Sequence, residues 1–439
     1  MRLNKVVLHK PLKYKKKIDL LLYIFYIWLC VLISRPQDFI NALEPLRPAL
    51  SVCIIVIILY ALFHARYKFE LLSNSQFRLY ILFLITMVIS IPFSIYRRGS
   101  MEFFITICLT SYLYLLVFCK IIDNQKKIIS VLMLCCLGSF SYLLSSLLGG
   151  KVVSGRLSFG HMFDPNDLAF FAISLLPFNF VFISPNWKNW QRLLCSANII
   201  LGILVILMTG SRGGFIALIL VNILLLSSPK KIIKSSYKML IGMGIMIVMM
   251  YGAITIDFAR LKTIANFSND YNVSEETGRL RIWKKGIDMM LRHPLTGVGI
   301  SCFSEAIGQE RRRDGVQEIW QTAHNSLVQI GAENGLLGLM LFLLISYRAV
   351  KIFRRAEKVK EPDNMAKTAA MAKIAFIGYF VAAMFLSQGY SIIWVFLIAL
   401  SARMNEFIRE DREAKRGVEG GLVNKNQENK SSRLIVGQM

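Results

Sequence analysis

"TAHNSLVQIGAENGLLGLMLF", Thr322 to Phe342, opens on a His-Asn pair and continues as an apolar run with one carboxylate, Glu333, inside it. Whether this run belongs to a water-soluble core or crosses a bilayer decides the fold, and its surroundings give the answer. Apolar blocks of about twenty residues recur along the whole chain, each long enough to span a membrane as a helix. The 439 residues are 55% hydrophobic and 18% charged, with a mean hydropathy of +0.51. Soluble domains carry about a quarter of their residues as charges. The alternating segments of a membrane β-barrel, about ten residues each, are absent. The sequence therefore reads as an all-α polytopic membrane protein.

The apolar blocks fall at 18–34, 49–63, 78–95, 103–122, 128–148, 167–184, 192–209, 213–227, 237–257, 324–346, 369–387 and 389–405, about twelve transmembrane helices. The formal net charge of +25 could suggest a nucleic-acid partner, but its placement argues against one. With the N-terminus inside, the basic clusters Arg66/Lys68/Arg78, Lys120/Lys126/Lys127, Lys188/Arg192, Lys230 to Lys238 and Arg348 to Lys373 all fall on the cytoplasmic side. The short outer loops hold only single charges or pairs. That is the positive-inside pattern, and it puts both termini in the cytoplasm. Residues 1–17 read as a basic cytoplasmic N-terminus. Its "KPLKYKKK" run is expected to anchor the first helix as a retained segment, since no small-residue cleavage site follows. Helices one to nine occupy 18–257, one large periplasmic loop 258–323, and helices ten to twelve 324–405. The polar tail 406–439 has the composition of a disordered segment.

Within the large loop, Leu280, Trp283, Ile287, Met290 and Leu291 recur at helical spacing, with Arg281, Lys285, Asp288 and Arg292 on the other side. This predicts an amphipathic helix suited to the bilayer surface, ending before Pro294. The Gly297-x-Gly299 pair after it permits a tight turn. Of the eight cysteines, six lie inside apolar spans, Cys195 sits near a span end and Cys302 stands alone in the loop. No C-x-x-C pair exists, so neither a disulfide nor a cysteine-metal site is expected. H-E-x-x-H, a P-loop and a dinucleotide fingerprint are also missing, and no cofactor is expected.

The polar residues expected at the outer face each carry two readings. In "GRLSFGHMFDPNDLAFF" (Gly155–Phe171), Asp164 suits a turn and helix cap, while Arg156 and Asn166 edge the membrane where an anionic group would sit. In "LMTGSRGGFIALIL" (Leu207–Leu220) the glycines serve a tight reversal between helices, which does not need Arg212. An arginine there either snorkels to phosphates or marks a functional site, and its position against the charge bias favours the second. Arg279 and Trp283, four residues apart, share a helical face, so the guanidinium either stacks on the indole or grips an anion bidentately. Arg281 points to the opposite side. The run Arg311-Arg312-Arg313 reads as a solvated loop. His324 is either a structural residue beside an N-cap, Asn325, or a proton acceptor kept neutral by nearby arginines. Glu333 lies nine residues on, across the helix from His324, and is expected to bond another helix or an arginine on one.

Taken together, "GRLRIWKKGIDMMLRHPLTGVGISCF" (Gly278–Phe303), "HNSLVQIGAENGLLGL" (His324–Leu339), "TGSRGG" and "FDPNDLA" resemble the signature of the O-antigen ligase and polymerase superfamily. Each motif is weak alone; four in order on about twelve spans are specific. "SRPQDF" (Ser34–Phe39) is similar to members tied to exopolysaccharide gene clusters. The resemblance covers residues 150–345 in motif and the chain in topology. It implies an inner-membrane glycosyltransferase of the GT-C type, working at the periplasmic face. Such enzymes pass a glycan from undecaprenyl diphosphate to lipid A–core sugar (a ligase), to another lipid-linked repeat unit (an O-antigen or exopolysaccharide polymerase), or to protein Ser or Thr. It further implies Arg212 and Arg279 as the diphosphate holders and His324 as the catalytic base. Arg156, Asn166, Arg281, Trp283 and Asn325 are then the candidates for substrate binding.

Elementary chemistry agrees with those roles. A diphosphate leaving group needs positive charge where negative charge builds up, and guanidiniums supply it. The attacking hydroxyl needs a proton acceptor. A transporter of a lipid-linked anionic glycan would use the same arginines for binding without chemistry, and a structural envelope subunit would use neither.

Overall fold

The computed structural model describes residues 19–67, 71–160, 164–229, 232–234, 238, 242, 278–359 and 363–410. The expected ninth span at 237–257, the basic N-terminus, the loop before 278 and the tail past 410 lie outside these residues. Among those described, nine helices are long and apolar enough to cross a membrane. In chain order the helices are α1 (Leu20–Ser34), α2 (Pro48–Phe63), α3 (Ser75–Ser90), α4 (Arg97–Phe103), α5 (Leu109–Ile121), α6 (Gln125–Gly149), α7 (Pro165–Phe182), α8 (Asn189–Met208), α9 (Arg212–Ser227), α10 (Arg279–Arg292), α11 (Phe303–Arg313), α12 (Ser326–Ala356), α13 (Asp363–Ala383) and α14 (392–410). A π-helical turn, Phe104–Cys108, joins α4 to α5 into one span, Arg97–Ile121.

Eleven of the twelve expected spans are therefore helical where they were read. The largest difference is in α12, which runs to Ala356 rather than 346. Hydropathy reports the apolar slab only; the helix continues past it through Arg348, Lys351 and Arg354, whose side chains need no apolar surroundings. A second difference is a two-stranded hairpin, β1 (Lys151–Val153) and β2 (Arg156–Ser158), in register Val153↔Arg156. Its two-residue tip, Ser154 and Gly155, has positive φ at both positions (51° and 72°), the geometry tight hairpins favour.

The bundle is organised around α7, whose residues Leu168 to Phe182 are all buried against α8, α9 and α13. Pro177 sits inside it. At one end of the bundle, buried polar groups tie α3 to α14: the Asn74 amide donates to Glu406 Oε1 (2.7 Å) and Ala402 O (3.0 Å), and Gln76 to Ser401 Oγ (3.0 Å). Hydrogen bonds of this kind between helices hold them together where no water competes. The candidate site lies at the other end.

Candidate functional site

Five segments meet at that end: the β1–β2 hairpin, the start of α7, the α8–α9 turn, the start of α12, and the connection 384–391 between α13 and α14. The hairpin contributes Arg156, half-buried. Its Nε donates to Thr209 O (2.9 Å) in the α8–α9 turn, and its Nη2 donates to Asn166 Oδ1 (2.9 Å) at the start of α7. Arg156 and Asn166, separate candidates in the sequence, are thus direct partners. Asp164 caps α7, accepting from the N–H groups of Asn166 (2.7 Å) and Asp167 (3.0 Å).

The hairpin itself rests on "SRPQDF". Asp38 takes a bidentate pair from Arg35 (2.7 and 3.2 Å) and a hydrogen bond from the Tyr142 hydroxyl (3.1 Å). Gly160, just past β2, packs so closely that a Cβ there would lie 2.5 Å from Asp38 Oδ2. The motif's physical job is to seat the hairpin that carries Arg156.

Arg212 is the first residue of α9, exposed, with Ser211 as N-cap accepting from Gly214 N (3.2 Å). The helix dipole makes this end positive, so a cation here costs stability and adds to a positive potential that suits an anion. Gly213 allows the turn to lie against the 384–391 connection: a Cβ there would sit 2.8 Å from Phe385 Cδ2.

Arg279 begins α10, and Trp283 one turn later donates its indole N–H to Ala323 O (3.0 Å). The indole therefore pins the residue before His324. Arg281 is exposed on another side of the same helix. The buried face of α10 is Ile282, Gly286 and Met289, not the Leu280–Ile287–Leu291 stripe, whose residues are exposed. The expected helix is present with its expected end. Of the five apolar positions read, Leu280, Ile287 and Leu291 face away from the protein, while Trp283 and Met290 are half-buried against it, and Gly286 lets α10 close on Val328 and Phe303.

His324 is half-buried and held at φ 48°, a left-handed conformation that side chains other than glycine adopt at a cost. Its backbone N–H donates to Ser387 Oγ (2.9 Å). Burial first, then the positive charge of Arg279, hold its imidazole below the ordinary histidine range, with Asp164 opposing. All three groups thus lie within electrostatic reach. Asn325, 4% exposed, caps α12 through its Oδ1, which accepts from Leu327 N (2.9 Å) and Val328 N (3.2 Å). That oxygen is committed to the helix.

The 384–391 connection was not legible as part of a site. Its Ser387 holds the His324 backbone, Gln388 donates to Asp167 Oδ1 (2.8 Å), and Gln388 N and Leu386 O both bond Ser326 Oγ (2.9 and 2.8 Å). The only sequence signal was the polar pair Ser387-Gln388 with Gly389 between two apolar runs.

Glu333 is buried where α12 breaks, at Gly335 (φ 70°, ψ −173°). Its Oε1 accepts from the N–H of Phe303 (3.3 Å), the first residue of α11. It thus bonds another helix, as expected, through a backbone N–H rather than an arginine. Gly297 and Gly299 do more than turn the chain: Val298 N donates to Ala332 O (2.8 Å) and Gly299 N to Glu333 O (3.2 Å), docking the turn on the broken helix.

Among the described residues no three His, Cys, Asp or Glu side chains gather as metal ligands would. What the arrangement offers is guanidinium charge from separate segments and a neutral imidazole fixed by its backbone.

Residues 197–343, from α8 into α12, match the family model described as O-antigen ligase. The resemblance read from the motifs is borne out over that stretch, which contains Arg212, Arg279, Arg281, Trp283, His324 and Asn325. Arg156 and Asn166 precede it. A search of curated proteins returns no match to the chain. The apolar helices make this a multi-pass membrane protein, and residues 197–343 are similar to O-antigen ligases.

Proposed function

We propose that the protein transfers a glycan from undecaprenyl diphosphate to an acceptor hydroxyl at the periplasmic face of the inner membrane, as an O-antigen ligase with lipid A–core as acceptor. Arg212 and Arg279 hold the diphosphate. His324 takes the proton of the acceptor hydroxyl as its oxygen attacks the anomeric carbon. One C–O bond forms, the bond from that carbon to the diphosphate oxygen breaks, and undecaprenyl diphosphate leaves with the electron pair. The proton ends on the imidazole and passes to water. A single displacement inverts the anomeric centre.

The observation that carries this reading is His324, half-buried and fixed by its backbone bond to Ser387 Oγ (2.9 Å), within the stretch similar to O-antigen ligases that also holds Arg212 and Arg279; burial and the charge of Arg279 favour its neutral imidazole. A neutral imidazole is a base at physiological pH, worth about 10²–10⁴-fold when placed against the reacting proton. The arginines supply fixed positive charge where the leaving diphosphate gains negative charge, with no reorganisation at the moment of reaction. Arg156, bonded to Asn166, extends the positive lining. Trp283 shares a face of α10 with Arg279 and acts as a positioning residue through Ala323, while Arg281 lies on another side of the helix.

The glycans of a deletion strain test the reading and its alternatives. Loss of long chains from lipid A–core with lipid-linked polymer retained supports the ligase. Single repeat units on the core indicate a polymerase. Unchanged glycan attachment with lipid-linked glycan stranded at the cytoplasmic face would indicate a transporter.

A further inference from the structure

Helix α10 lies in what the sequence gives as a loop, yet its packing is that of an element inside the bilayer. It descends beside the first part of α12: a Cβ on Gly286 would lie 2.3 Å from Val328 Cγ1, one on Gly331 2.7 Å from Met290 Sδ, and one on Gly335 2.5 Å from Pro294 O. Positions 286, 290 and 294 thus meet 328, 331 and 335, so the two helices run parallel. After its break at Gly335, α12 continues as one helix from Leu336, and its basic end starts at Arg348, about 18 Å further on at 1.5 Å per residue. Against a hydrocarbon core of about 30 Å, Leu336 therefore lies inside it. The end of α10 and the turn after it, which bond Ala332, Glu333 and Leu336, are at hydrocarbon depth.

The turn after α10 obeys the rule for such depth, that non-helical backbone be satisfied within the protein. Gly297 N donates to His293 O (2.9 Å), Val298 N to Ala332 O (2.8 Å), and Leu336 N to Pro294 O (2.7 Å). Ile95 N donates to Val298 O (3.1 Å), and Ser100 Oγ to Ile300 O (2.8 Å). Phe303 N takes the buried Glu333 carboxylate.

Three edges divide α10. Ile282, Gly286 and Met289 face the protein. Arg281, Asp288 and Arg292 form a charged edge, with Arg292 and Asp288 paired at 2.6 Å. The third edge is Leu280, Ile287 and Leu291 (69% exposed), followed by Leu295 (74%), and it continues into exposed Leu336, Leu337 and Met340 of α12. An exposed apolar edge continuous with the outward face of a membrane span has one fitting partner, lipid hydrocarbon.

We infer that residues 279–303 form a re-entrant element, with the Leu280–Ile287–Leu291–Leu295 edge of α10 among lipid acyl chains and the Arg281–Asp288–Arg292 edge on the aqueous side. This fixes α10 at bilayer depth whatever reaction the site performs.

The test is collision accessibility of a nitroxide on the full chain in phosphatidylethanolamine–phosphatidylglycerol vesicles. Ile287→Cys, Leu291→Cys and Asp288→Cys are labelled singly, with the parent chain labelled in parallel as background and Leu295→Cys held for a position that fails to fold. The expected result is oxygen collision exceeding collision with a water-soluble nickel chelate several-fold at 287 and 291, and the reverse at 288. Nickel-dominated collision at 287 and 291 would put the edge in water. Weak collision with both probes there would mean protein covers it. Either result overturns the inference.

Discussion

Replacing Ser387 with Ala removes one hydrogen bond and leaves every candidate catalytic side chain in place. In the structure Ser387 Oγ accepts the backbone N–H of His324 (2.9 Å), at a residue held at φ 48°. A non-glycine residue in that region costs about 1–2 kcal/mol and persists only while its surroundings over-determine it. The bond contributes about 1 kcal/mol net. Losing it therefore returns His324 to an ordinary conformation for a large share of molecules, a change of about 5-fold in the population with the imidazole in place. The proposed base then acts less often while the diphosphate clamp on Arg212 and Arg279 is untouched. The expected outcome is kcat lowered about 5-fold or somewhat more, donor KM within about 2-fold, and rescue by Ser387→Thr, which keeps the hydroxyl. The assay is release of undecaprenyl diphosphate by the purified chain in liposomes, with a melting curve to confirm folding. A Ser387→Ala protein with full kcat, or one that changes KM alone, would refute the coupling between this backbone bond and the base.

Three further outcomes follow from the site. His324 works when neutral and its pKa is lowered, so the acid limb of kcat should fall at lower pH than an ordinary histidine would give; Arg279→Gln removes one of the lowering influences, and its acid limb at saturating donor should move to higher pH. Arg212→Lys keeps the charge but loses the planar fork, so donor KM should rise about 10-fold, and Arg212→Ala should raise it further, both read from donor titrations. Asp38→Asn breaks a pair whose carboxylate is 1% exposed, and should destabilise the chain by about 3 kcal/mol, seen as a lower melting temperature with Arg35 and Tyr142 left without their charged partner.

The membrane fold was legible because the bilayer imposes length and composition on each span independently of its neighbours. The apolar blocks alone mark α1 to α3, α5 to α9 and α12 to α14. The candidate site was read where a residue went against a local rule: Arg212 against the charge bias in a turn that does not need it, and His324 at the mouth of an apolar run. It was hidden where function depends on non-local geometry. Nothing near Ser387 in sequence says that it faces His324, sixty-three positions away. Nor does the α10 pattern say which apolar positions face protein, because Gly286 counts as neither apolar nor charged, yet its missing side chain admits Val328. Glu333 makes the expected bond to another helix, but helical spacing could not name its partner, the backbone N–H of Phe303 at the start of α11.

The most direct test of the proposed reaction compares the wild-type chain with His324→Asn in liposomes supplied with an undecaprenyl-diphosphate-linked glycan and a lipid A–core acceptor. Asparagine tolerates the left-handed backbone at this position and keeps the fold, but it cannot take the proton. The account predicts that the wild type releases undecaprenyl diphosphate with glycan joined to the core, and that His324→Asn binds the donor equally well and turns over about 10²–10⁴-fold more slowly. Donor binding by the wild type without release, or turnover by His324→Asn at the wild-type rate, would contradict it.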